Sequence, residues 1–119
     1  MYLVSERADQ ALVEIRIYDD ITEHENQELV DLILRRGRSE GPVRLLVVYD
    51  TDPGLAGAEN LYDNMRFAKQ AGDSIFKMAV AGGKSYENTW VGLFGLFGGL
   101  QTAYFDQDRL EDALAWLKE

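Results

Sequence analysis

Apolar residues are packed most tightly along the chain at Val43–Tyr49, VRLLVVY, where only Arg44 interrupts the run. A half-buried strand would alternate, so this nearly continuous run predicts a strand covered on both faces, as in a parallel or mixed α/β sheet. Gly41-Pro42 opens it and the acidic Asp50-Thr51-Asp52-Pro53-Gly54 closes it. Ala11–Tyr18 alternates instead: Leu12, Glu14, Arg16 and Tyr18 against Ala11, Val13, Ile15 and Ile17. That pattern puts charge on one side and suits an edge strand or a hairpin, with Tyr2–Val4 as the partner across the polar Ser5–Gln10 segment. Ile75–Ala81, ending in Gly82-Gly83, and Gln101–Phe105 complete a sheet of about five strands.

Between the strands the period changes to that of a helix. Thr22 with Glu25 forms a capping box, each side chain placed to meet the other's backbone amide. Leu29, Val30, Ile33 and Leu34 then recur at helical spacing, and Gly37 suits the terminator of a helix over Glu23–Arg36. Arg35, Arg36 and Arg38 would sit at its end, where cations complement the helix dipole. A second helix is expected over 58–71, with Leu61, Tyr62, Met65 and Ala68 on one face, and a third from the Ser85 cap through Trp90 to Phe97. A last helix, capped by Asp108 with Glu111, carries Leu110, Ala113, Leu114 and Leu117. The order β-β-α-β-α-β-α-β-α predicts an α/β domain over residues 1–119: a mixed, mostly parallel sheet, its first strand antiparallel, joined by right-handed crossovers and flanked by four helices.

Composition narrows the function classes. Twenty-one acidic residues against twelve basic ones give a net charge of −9. That disfavours nucleic acid as a partner, since binding phosphate requires a basic surface. With no cysteine and one histidine, thiolate chemistry and a transition-metal site have no ligands to work with, and no cofactor is implied. No apolar stretch reaches the ~20 residues that span a bilayer, and no secretory signal pattern opens the chain, so a cytoplasmic location is the expectation.

Three stretches resemble the SpoIIAA-like family, part of the wider STAS group and structurally akin to CRAL-TRIO lipid-binding domains. They are VRLLVVYDTDPGLAGAENLYDNMRFAKQAG, FKMAVAGGKSYENTWVGLFGLFG and AYFDQDRLEDALAWLKE, and together they span most of the chain. The resemblance implies a small bacterial regulatory or ligand-binding module rather than an established enzyme. Anti-anti-sigma members of the STAS group carry a phosphorylatable serine in an Asp-Ser-Ser-Gly type loop. Here the nearest sequences are Asp50-Thr51-Asp52 and Gly83-Lys84-Ser85, and neither reproduces that motif.

The candidate sites follow from these segments. Trp90–Leu100 interleaves four glycines with Trp90, Phe94 and Phe97. Glycine weakens a helix but admits a close neighbour, so the segment can pack on the sheet, line an apolar pocket, face a partner or a second copy of the chain, or touch a membrane surface. Tyr62, Met65 and Phe67 from the second helix would complete a pocket for a small apolar or lipid-like ligand. Gly83-Lys84-Ser85 looks like the end of a phosphate-binding loop, but the full motif requires glycine where Met78 stands; it and Thr51 are candidate anion or phosphorylation sites, with an ordinary turn and helix cap as the simpler reading. Asp50 and Asp52 lie where open α/β sheets bind ligands and could act as acid and base or hold a hard cation, though acids in a Pro/Gly loop more often form the turn. His24, second in its helix, reads as a solvated surface residue.

Overall fold

The computed structural model describes residues 2–7, 12–18, 22–50, 70, 72–82 and 100–119. Five strands form one sheet: β1 (Tyr2–Arg7), β2 (Leu12–Ile17), β3 (Val43–Tyr49), β4 (Ile75–Gly82) and β5 (Gln101–Phe105). Their spatial order is their chain order, β1-β2-β3-β4-β5. β1 runs antiparallel to β2, and β2 to β5 are mutually parallel. Two helices are described, α1 (Glu23–Glu40) and α2 (Leu110–Lys118), with short 3-10 turns at Gly72–Ser74 and Gln107–Arg109. The helices expected over 58–71 and 85–97 lie outside the described residues, apart from Gln70.

The nearly continuous apolar run of β3 has the predicted cause. Val43, Leu45, Val47 and Tyr49 join the core beneath α1 with Val13, Ile15, Ile17, Leu29, Val30 and Ile33. Leu46 and Val48 face the other way, against Ala113 and Leu117 of α2. A helix therefore lies on each side of the central strand, and both side-chain rows of β3 lose water. β2 pairs antiparallel with β1, as the hairpin reading of its alternation expects, but it is an interior strand and not an edge; its charged positions form a polar cluster on the α2 side, described below.

The pairing of β3 with β4 slips once. Val43 pairs with Ile75 and Arg44 with Lys77, so Phe76 is an extra, bulged residue. The bulge resets the alternation: Ile75 and Met78 both reach the α1-side core, while Phe76 is left 43% exposed under the Arg44 guanidinium, 5.0 Å from the ring centre.

Two helix boundaries differ from the sequence pattern. The capping box forms as predicted, with Glu25 N donating to Thr22 Oγ1 at 3.1 Å and Thr22 N to Glu25 Oε1 at 3.2 Å. Gly37, however, does not end the helix. α1 continues to Glu40 and stops at Gly41, whose φ of 86° only glycine adopts readily. Gly37 serves packing instead: a β-carbon there would sit 2.6 Å from Cβ and Oγ of Ser74. With the helix lengthened, the three arginines do not form one terminal cluster. Only Arg38 remains in the last turn, and Arg36 is bound by Glu6 at 3.3 Å and Glu40 at 3.1 Å. At the other end of the chain, Asp108 caps nothing. It lies within the 3-10 turn, and α2 starts after Arg109 with no side-chain cap; Arg109 instead pairs with Asp112 at 2.8 Å.

Candidate functional site

Parallel strands place their carboxyl ends along one edge, and here those ends are level. Ile17 pairs with Tyr49, and Tyr49 with Gly82, each the last residue of its strand. The Asp50 amide prolongs the first pairing by donating to the Ile17 carbonyl at 3.1 Å. Segments 51–69 and 83–99 thus leave from adjacent points on the edge where open α/β sheets hold their ligands. Gly82 has φ +84°, and a β-carbon on it would collide with the Tyr49 carbonyl oxygen. The Tyr104 hydroxyl donates to the Gly82 carbonyl at 3.0 Å, which ties the end of β4 to β5.

Asp50, the acid that follows β3 at this edge, is engaged. Arg16 donates from Nη1 to Asp50 Oδ1 at 2.9 Å and from Nε to Glu14 Oε2 at 2.8 Å. All three side chains are half-buried or less exposed, and they lie on the α2 side of the sheet. The Glu14 hydrogen bond, partly opposed by burial, leads the causes that raise the Arg16 pKa above its ordinary value. An arginine so held is a permanent counter-ion, and it fixes Asp50 at the carboxyl end of β3. His24 is 87% exposed and pairs with Glu28 at 2.9 Å, as a surface residue would. Among the described residues no group of three His, Asp or Glu side chains is placed to hold a metal, and no helix is long and apolar enough to cross a membrane.

The model of the SpoIIAA-like family matches residues 12–118. The chain belongs to the SpoIIAA-like family. Comparison with curated proteins and with solved structures gives no match. The family match begins at the first residue of β2 and runs to the last residue of α2, so it takes in the whole parallel part of the sheet and both segments that leave its carboxyl edge. Of the sequence-predicted site residues in this SpoIIAA-like chain, only Asp50 falls within the described residues. Thr51, Asp52, Tyr62, Met65, Phe67, Gly83, Lys84, Ser85, Trp90, Phe94 and Phe97 lie outside them.

Two buried polar residues escaped the sequence reading. Lys77, 5% exposed, donates from Nζ to the Trp116 carbonyl at 3.0 Å and lies 4.8 Å from the centre of the Trp116 ring. It is a helix cap supplied from the sheet: its ammonium meets a carbonyl in the last turn of α2. The signal was a lone cation within an otherwise apolar strand, IFKMAVA. Asn26, 6% exposed, stands at the head of the Leu29–Val30–Ile33 stripe, at the spacing of a core position. Its signal in the sequence is a polar residue on an apolar stripe.

Proposed function

We propose that this SpoIIAA-like protein is a non-enzymatic regulatory module that binds a small apolar or lipid-like ligand between the segments 51–69 and 83–99. Tyr62, Met65, Phe67, Trp90, Phe94 and Phe97 line the pocket in this reading. The observation that carries it is the level carboxyl edge Ile17–Tyr49–Gly82, from which both segments depart side by side. Those segments hold Met65 and the glycine–aromatic run, the adaptable and aromatic side chains from which apolar pockets are built. Asp50, at the end of β3, is bound by Arg16, which favours a structural role for it over proton transfer.

Titration with an environment-sensitive apolar dye tests the proposal. The wild type binds the dye, and Met65→Trp or Phe94→Trp abolishes binding while the circular dichroism spectrum stays unchanged. If instead both variants bind like wild type and Phe97→Asp alters the assembly state, the glycine–aromatic segment is a surface for a partner or a second copy, and the pocket is refuted.

A further inference from the structure

Two cations, Arg44 and Lys77, occupy directly paired positions on β3 and β4. Like charges placed opposite one another destabilise a sheet, so a fold normally separates them or sets an acid beside them. Among the described residues, neither has an ion-pair partner. The other half-buried arginines are treated differently: Arg16 holds Glu14 and Asp50, and Arg36 holds Glu6 and Glu40. Acids are not scarce, at twenty-one against twelve basic residues. Lys77 meets the Trp116 carbonyl, a dipole that leaves its charge uncancelled. Arg44 lies 5.0 Å over the ring centre of Phe76, with its Nε buried and unbonded. The β-bulge puts that ring there and leaves it 43% exposed, and re-aiming a side chain is what bulges do.

We infer that Arg44 and Phe76 form a binding site for a monocarboxylate whose acid group is joined to an apolar one, with Lys77 adding positive charge beside it. The site lies at the amino ends of β3 and β4, the far end of the parallel strands from the Ile17–Tyr49–Gly82 edge, and is independent of the pocket proposed above. A carboxylate matches the fork of a guanidinium, and the apolar group covers the exposed part of the Phe76 ring. A single acid is favoured because a chain of net charge −9 repels a polyanion. The same chemistry is offered by a free small acid and by an acidic side chain next to an aromatic one on a partner protein.

The test is an NMR titration of the amide signals of Phe76 and Lys77 with phenylacetate and with 2-phenylethanol, its uncharged counterpart. Wild type should bind phenylacetate about tenfold more tightly. Arg44→Gln should lose that preference while binding 2-phenylethanol as before, and Phe76→Ser should weaken both. Arg44→Lys keeps the charge without the fork, so it reads the same loss should Arg44→Gln fail to fold. Equal affinity for the two probes in wild type, or phenylacetate binding unchanged in both Arg44 variants, overturns the site and leaves the carboxyl-edge pocket standing. A capped dipeptide of glutamate and phenylalanine separates the two sources: binding tighter than phenylacetate supports the site with a partner protein as its source, and weaker binding supports it with a free acid.

Discussion

Gly82 packs so closely against the Tyr49 carbonyl that no larger residue fits between the ends of β4 and β3. Gly41 offers an internal comparison. Its φ of +86° matches the +84° of Gly82, yet a β-carbon on Gly41 would meet nothing within 4 Å. Gly41→Ala should therefore cost only the backbone strain, about 1–3 kcal/mol. Gly82→Ala adds a collision with main chain that cannot step aside, and should cost about 2 kcal/mol more. Urea unfolding of the two variants measures the difference. Equal losses would mean that the strand ends are not held this closely.

Lys77 under α2 gives a second expectation. Its ammonium caps the helix through the Trp116 carbonyl and lies near the indole ring, while its methylene stem occupies core space. Lys77→Ala removes all three contributions and should destabilise the protein by about 2–3 kcal/mol. Lys77→Met keeps the stem and removes a buried charge, so it should cost about 1 kcal/mol or less. Chemical denaturation followed by tryptophan fluorescence separates the two, and a neutral Lys77→Ala would show that the cap is not made.

The contact between β1 and α1 should be visible at high pH. Burial is the leading reason that the Tyr2 phenol is pushed from 10.0 up to about 12, with the hydrogen bond to Glu28 at 2.8 Å next. Because the folded state holds this proton more tightly than the unfolded chain, the contribution of Tyr2 is complete below pH 10 and is lost as pH rises toward 12. The stability difference between wild type and Tyr2→Phe should be constant below pH 10 and shrink from there to pH 12. A difference that stays flat across that window would contradict the pairing.

How far the sequence carried depends on how local each signal is. The ends of β3 and β5 were legible because turn residues bound both strands tightly, and the Thr22–Glu25 box because a cap depends on four consecutive residues. Gly37 misled because two kinds of glycine look alike in sequence: one ends a helix through positive φ, the other makes room for a neighbour, here Ser74, 37 residues away. The Phe76 bulge and the Arg16–Asp50 pair are likewise relations between strands, fixed by register and invisible to periodicity within either one. At the candidate site, Asp50 was legible as the acid at a strand end. Its partner Arg16 was not, because 34 residues separate the two.

The central claim, that this SpoIIAA-like domain holds a small apolar ligand, is tested most directly by native mass spectrometry of protein taken straight from its expression host. The account predicts an added mass that persists under native conditions, disappears on denaturation, and is released as a small apolar or lipid-like compound. Protein that carries no added mass, whether monomer or dimer, and that binds no apolar dye would contradict it.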